Sequence, residues 1–471
     1  MDRREMKDIS DKSMAENTSQ LSAKLMSGLF WILLANLVVK PVWILGVEVG
    51  VQNAVGHETY GFYAAILNLA YIFNILLDLG ITNFNTRNIA QHPQLVGKHL
   101  GGILGIKLCL LALYLVVTFG VGALMGYGSD EFHLLAWLTL AQFLNSLILY
   151  LRSNLEGLLL FRWDSLFSVL DRLLMIVICG MLLWGPRLSL FSFHFTVFHF
   201  VYAQVAAYAV TAVLAFVVVA RKASFRRLRW DWPFFLVILR KSAPFALLVL
   251  LMASYNRIDP ILLRQLSGDA EAGVYAGAFR LLDALTMVAW LVSVPLLPVF
   301  SKQLAADSRH TADSRPALAS TLRIVFWPMT LFSCGAATLC ACFATPLMEL
   351  LYPGHGTLYA PAFRVVIFGI IPLGFTYIFG TLLTAGGRMR QLNTFAAITL
   401  ALNVTVNMLL IPRLGAVGSA WASLTAQSFM AVAQLALAAR LYRLPAEAFR
   451  LPRPADLSHL PQMLNKKDKK G

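Results

Sequence analysis

Long continuous apolar runs dominate this chain and leave few folds open to it. Twelve are read, at about Leu25–Val47, Tyr60–Ile81, Leu100–Met125, Phe132–Leu151, Leu166–Trp184 and Phe195–Ala220, then Ser242–Leu266, Gly273–Phe300, Ala319–Phe343, Pro361–Ala385, Leu392–Ile411 and Ala416–Leu441. A helix of roughly 20 apolar residues spans the ~30 Å hydrocarbon core of a bilayer. Inside that core each backbone N–H and C=O must be satisfied within the protein, so a span is a helix or a strand of a closed barrel. Barrel strands alternate apolar and polar residues, whereas these runs are unbroken. The chain is 58% hydrophobic and only 13% charged, far from soluble composition. The expected fold is all-α: a polytopic membrane protein of about twelve transmembrane helices in two six-helix lobes.

Lysine and arginine set the expected orientation. The N-terminal segment (Arg3, Arg4, Lys7, Lys12, Lys24) and every second loop are basic, while the alternate loops hold only Arg187, Arg264, Arg364 and Arg413. Positive residues stay on the cytoplasmic side, which places both termini in the cytoplasm. The formal charge of +15 is read as topology signal and contact with anionic lipid, not as a nucleic-acid surface. No cleavage site follows the first apolar run, so that run is expected to remain as a membrane helix.

The sequence repeats itself. Gly61-Phe62-Tyr63-Ala64 opens the second run and Gly273-Val274-Tyr275-Ala276 the eighth. Arg162 begins a stretch that closes on Pro186-Arg187-Leu188, and Arg388 begins an equally spaced one closing on Pro412-Arg413-Leu414. Each match falls at one place in a six-helix unit, so the halves are expected to be related by an axis along the membrane normal. The organisation read is a cytoplasmic N-terminal segment (1–24), an N-lobe (25–220), a basic cytoplasmic connector (221–241), a C-lobe (242–441) and a cytoplasmic tail (442–471). The connector, with Trp230 and Trp232, reads equally as an amphipathic segment on the membrane surface or an ordinary basic loop. The proline- and lysine-rich tail reads as disordered.

Much chemistry is missing. There is no glycine-rich phosphate loop, no nucleophile–base pair and no carboxylate pair spaced for acid–base work, so an enzyme is not expected. Cys109, Cys179, Cys334, Cys340 and Cys342 all lie in apolar runs and are expected to be free thiols without a metal. No cofactor is expected. His194 and His199 belong to an aromatic run at the mouth of the sixth span.

What remains is charge at membrane depth, which is costly and marks function by default. Lys40 precedes Pro41, and Arg257 precedes Asp259-Pro260, each about fifteen residues into its run. At ~1.5 Å per residue both lie ~22 Å from the cytoplasmic edge. Proline removes a backbone hydrogen bond, and the resulting kink is tolerated only against protein or a wet cavity. Pro41 and Pro260 are therefore read as kinks beside an interior cleft, and Arg280 is expected to reach the same level. Lys40, Arg257 and Arg280 together suit an anionic headgroup such as a diphosphate. The alternative is mutual neutralisation. Arg280 and Asp283 share a helical face, and Asp259 meets Arg257 only if Pro260 distorts the helix. Asp78, Asp259 and Asp283 are the carboxylates available in the cavity or for coupling, while Lys107, Asp171 and Arg172 are read as helix anchors or as a cytoplasmic vestibule rather than as substrate ligands.

The run Arg257-Ile258-Asp259-Pro260-Ile261-Leu262-Leu263 followed by Gly273-Val274-Tyr275-Ala276 and Arg280 resembles bacterial polysaccharide-biosynthesis flippases of the O-antigen type. So do Glu58-Thr59-Tyr60-Gly61-Phe62-Tyr63 with Asp78-Leu79-Gly80, and the stretch Ile411-Pro412-Arg413-Leu414-Gly415-Ala416. The family pattern often carries a basic residue after the aspartate, where Pro260 stands here. The family belongs to the multidrug/oligosaccharidyl-lipid/polysaccharide exporter superfamily. The resemblance implies two lobes around a cationic cavity. It also implies that undecaprenyl-diphosphate-linked oligosaccharide is moved across the inner membrane by alternating access, for surface polysaccharide such as lipopolysaccharide. In this reading the polyprenyl tail stays in lipid. Its implied partners are that substrate, membrane lipids, and a polysaccharide polymerase or other assembly proteins; nucleic acid is not among them, and a monomer is expected. The rival readings are a multidrug or cation antiporter of the same superfamily, a peptidoglycan-precursor flippase, and a scaffold for polysaccharide enzymes that transports nothing.

Overall fold

The computed structural model describes residues 38–91, 94, 96–185, 195–222, 232–307, 314–444, 449 and 450, and no strand occurs among them. Among the described residues ten helices are long and apolar enough to cross a membrane, and the bent pair Phe245–Arg257 and Asp259–Ser267 supplies another span. One of the ten, Met389–Leu441, has 53 residues. That is ~80 Å of helix against a ~30 Å core, so it must cross twice. Its backbone leaves helical geometry at Gly415 (φ 53, ψ −129), between the two crossings. The twelve crossings read from the sequence follow. Residues 25–37 of the first expected run and residues 223–231 of the connector lie outside the described residues.

The helices are α1 (Val38–Val55), α2 (His57–Leu77), α3 (Ile81–Gln91), α4 (Val96–Leu124), α5 (Ser129–Gly157), α6 (Phe161–Trp184) and α7 (Val197–Lys222). Then come α8 (Trp232–Arg257), α9 (Asp259–Ser267), α10 (Asp269–Ser293), α11 (Leu296–Asp307), α12 (Ser314–Cys342), α13 (Ala344–Leu351), α14 (Gly356–Ala385) and α15 (Met389–Leu441). Two compact units result, one of residues 1–47 and 76–241, the other of 48–75 and 242–471. Most of α2 therefore groups with the second unit, although the sequence repeat assigns it to the first half.

The first unit packs Leu100, Ile103 and Leu110 of α4 against Tyr150, Leu151 and Leu155 of α5, Phe167 of α6, and Ala215 and Val219 of α7. One cation lies inside it. Lys107, 1% exposed, donates to the Leu77 carbonyl (3.1 Å), Ser146 Oγ (2.8 Å) and Asp78 Oδ1 (3.2 Å). The cause is local. Leu79 (φ 46) and Gly80 (φ 86) turn the chain out of α2, which strips Leu77 of its helical partner. Lys107 satisfies that orphan carbonyl and is itself neutralised by Asp78. Asp78 also accepts from the hydroxyl of Thr82, holding the start of α3.

In the second unit, the repeated motif has a packing role. A Cβ on Gly61 would collide with the Asp269 carbonyl and stand 2.5 Å from Gly273 N. A Cβ on Gly273 would collide with the His57 carbonyl and stand 3.2 Å from Gly61 N. The two repeat-related glycines thus let α2 and α10 touch backbone to backbone, the small-residue device of membrane helices. Gln52, 1% exposed, pins this crossing by donating to Gly273 O (3.0 Å) and Tyr359 Oη (3.2 Å) and accepting from Tyr352 (3.2 Å). Glu271 Oε2 accepts the Ala416 amide (2.6 Å), fastening the turn within α15 to the start of α10.

Two expectations change. The connector expected over 221–241 is, from Trp232 onward, part of the helix α8. The tail expected to be disordered from 442 packs at its beginning. Tyr442, Leu444 and Phe449 lie against the second unit's core, and Trp327 Nε1 donates to the Phe449 carbonyl (3.0 Å).

Candidate functional site

The α8–α9 span bends by 41° at Ile258. Pro260 causes it, because the missing N–H removes the bond to Asn256 O. The bend opens a cavity of about 480 Å³ in the second unit. Its walls are α2 (Asn68, Tyr71), α8 (Asn256, Arg257), α10 (Tyr275, Arg280, Asp283), α14 (Tyr377) and α15 (Gln427). Of the residues expected at the site, Arg257, Arg280, Asp283 and Pro260 line this space together. Lys40, Pro41 and Asp78 belong to the first unit. After Pro41 the chain takes a π-helical course over Val42–Glu48.

The two cavity cations differ. Arg280 is held by Glu48 at 2.6 Å and lies 3.8 Å from Asp283. It donates to the Tyr60 hydroxyl, and its guanidinium sits 5.3 Å over that ring. Mutual neutralisation with Asp283, one of the two readings of the sequence, is thus present but secondary to Glu48. Its Nε is buried without a hydrogen-bond partner. Arg257 has only neutral hydrogen-bond and ring partners among the described residues, and the Asp283 carboxylate acts on it across the cavity beyond ion-pair distance. Arg257 donates to Asn68 Oδ1 at 3.4 Å and stacks 4.9 Å over Tyr71. Gln427 Oε1, at the cavity wall and 3% exposed as a residue, is also unpartnered.

Asp259 does not meet Arg257. Fully buried, it accepts from Asn407 Nδ2 (2.8 Å), Tyr275 Oη (2.8 Å) and Asn403 Nδ2 (3.1 Å). Ser419 Oγ donates to Asn407 Oδ1 (2.9 Å), so both crossings of α15 contribute. No cation lies within ion-pair distance of Asp259 among the described residues. Tyr275 joins the two features, lining the cavity with its ring and donating to Asp259 with its hydroxyl.

Sequence reasoning left Glu48, Tyr60, Tyr71 and Tyr275 without site roles. Glu48 fell just beyond the first run, which ends at Val47, whereas the helix continues to Val55. Asn403 and Asn407 did carry a signal, being four apart and so on one helical face. Among the described residues no group of three or more His, Cys, Asp or Glu could hold a metal ion.

No match to the chain is found among curated protein sequences. Solved structures resemble it at low identity. The lipid II flippase MurJ in an inward closed conformation superposes with a TM-score of 0.60 at 12% identity, covering 94% of this chain and 90% of that one. A mutant of the Vibrio cholerae MATE transporter VcmN gives 0.57 at 19% identity, covering 92% and 99%. A MOP superfamily transporter from Pyrococcus furiosus, described as having reversed binding-pocket polarity, gives 0.55 at 15%, covering 90% and 95%. These likenesses establish the fold. The sequence model of the family described as "Polysaccharide biosynthesis protein" matches residues 25–304. With the repeated helices and the bent, charged seventh span now in place, the chain belongs to the polysaccharide biosynthesis protein family.

Proposed function

We propose that this protein is a flippase that carries a lipid-linked oligosaccharide diphosphate across the bacterial cytoplasmic membrane by alternating access. The carrying observation is Arg257, a cation at a 480 Å³ cavity whose described partners are an amide and an aromatic ring. A guanidinium grips two phosphate oxygens at once, and replacing neutral partners by a diphosphate increases its charge-assisted bonding. Arg280 supplies a second donor through its unpartnered Nε, while Glu48 keeps its charge in place. Sugar hydroxyls meet amides and tyrosines on the same walls. The undecaprenyl carrier, and surface glycans of the O-antigen class as its cargo, belong to this proposal, which membership of the polysaccharide biosynthesis protein family supports. Lys40 sits in the first unit, so this proposal rests on second-unit residues alone.

Asp259 is proposed as the coupling carboxylate. It has hydrogen-bond donors on three sides and no fixed countercharge, so uptake or release of a positive charge there alters the bonding of Tyr275 at the cavity wall. Asp259→Asn should keep inorganic diphosphate binding and abolish driven transport.

The decisive experiment deletes the gene and complements it with Arg257→Ala/Arg280→Ala. Loss of surface polysaccharide with normal protein level supports the reading. Full display in that strain refutes the site. Unchanged drug susceptibility on deletion would remove the antiporter alternative, and loss of viability on depletion would favour a peptidoglycan precursor as cargo. Liposomes that fail to move a labelled lipid-linked sugar would favour the scaffold.

A further inference from the structure

A second cavity, about 470 Å³, adjoins the first in the same unit. The two share Met252, Asn256, Leu373 and Tyr377 as a common wall. The second space therefore begins one residue from Arg257. Its exposed lining is mainly apolar, from Leu248 of α8, Trp290 of α10, Val294, Leu297 of α11 and Leu392 of α15, with the threonines of α14 and Gln434 of α15 between them. Its rim is open, with Trp290 40%, Val294 37% and Leu297 43% exposed. The break at Val294-Pro295 between α10 and α11 forms that edge.

We infer that this groove holds the first carbons of the substrate's hydrocarbon tail, leaving the diphosphate on Arg257. The inference rests on the function proposed above and corrects one part of the sequence reading, in which the whole tail stays in lipid. The reason is connectivity. A diphosphate bound in the first cavity drags its attached tail along, and a hydrocarbon cannot lie among Arg257, Asp283 and Asn68 without desolvating them. The shared wall offers an apolar exit directly beside the cation. The groove thus turns a general anion site into one that distinguishes a lipid diphosphate from a free one.

The test uses the full chain in phosphatidylcholine nanodiscs with geranylgeranyl diphosphate, inorganic diphosphate and geranylgeraniol as probes. Wild type should bind geranylgeranyl diphosphate at least about tenfold tighter than inorganic diphosphate, a difference of ~1.4 kcal/mol. Thr381→Trp, which fills the groove, and Val294→Asp, which charges its exposed rim, should each remove that gain. Inorganic diphosphate affinity in the same variants should stay within about twofold, which also certifies that they fold. Geranylgeraniol should compete with geranylgeranyl diphosphate and not with inorganic diphosphate. A tail-dependent gain that survives in the folded variants overturns the groove while leaving the head site standing. Loss of the gain when phosphatidylglycerol is added to the disc overturns it too, since the groove would then be a general lipid site. If inorganic diphosphate fails to bind wild type, or binds Arg257→Ala equally well, the proposed function itself fails.

Discussion

Removing Arg280 separates its structural from its binding role. Its ion pair with Glu48 is 2.6 Å long, and the two side chains are only 14% and 17% exposed. Arg280→Ala removes the guanidinium that stands 2.6 Å from the Glu48 carboxylate. Breaking one partner of a buried pair costs ~3–5 kcal/mol, because an uncompensated charge remains. At ~2.1 cal/mol/K of unfolding entropy per residue, a chain of 471 residues loses roughly 1 °C per kcal/mol, so melting should fall by about 3–5 °C. Adding Glu48→Gln removes the carboxylate of the broken pair, and the double variant should recover at least half of the loss. Arg257→Ala is the contrast. No carboxylate is ion-paired to it among the described residues, so its melting point should move by no more than about 1 °C, the equivalent of ~1 kcal/mol. Its diphosphate affinity should instead fall by roughly tenfold to 150-fold, the value of ~1.5–3 kcal/mol in charge-assisted hydrogen bonds. Melting is read by size-exclusion of heated, detergent-solubilised protein, and affinity by calorimetry. A stable Arg280→Ala, or one that Glu48→Gln fails to rescue, refutes the assignment of Arg280 to an ion-paired strut. Unaltered diphosphate affinity in Arg257→Ala refutes the division of labour.

The remaining predictions concern the frame around the site. Gly273→Ala forces α2 and α10 apart, because the new Cβ meets the His57 carbonyl carbon at 2.6 Å and backbone cannot rotate away; a loss of ~1–3 kcal/mol is expected, and wild-type melting would contradict it. Glu271→Ala leaves the Ala416 amide without its acceptor, so exchange at that amide should accelerate while cavity binding stays normal. At Glu349 the Gly354 and Gly356 amides (2.5 and 2.8 Å) hold the carboxyl below its ordinary 4.5. A depressed folded pKa stabilises above 4.5 and the contribution disappears as pH falls through the lower folded value. Exchange protection at Gly354 and Gly356 should therefore fall on acidification below 4.5, and Glu349→Gln should lose that pH dependence.

The sequence by itself determined that this chain crosses a membrane as helices, about how many times, that it repeats, and that its seventh span breaks beside charge. Each of these is a local property: run length, continuity, spacing of identical residues, and the missing N–H of Pro260. Tertiary structure alone decided which charges meet. Arg280 pairs first with Glu48, which is 232 positions away and which sequence reading had left outside the membrane. Asp259 turns from Arg257 to Asn403 and Asn407, and the Gly61–Gly273 motif proved to be a backbone contact between α2 and α10 rather than only a mark of ancestry. Such pairings depend on helix rotation and depth to within an ångström or two, and hydropathy is blind to both. The paired cavities were beyond the sequence for the same reason, since they are the space left where a bent helix fails to fill its neighbours' grooves.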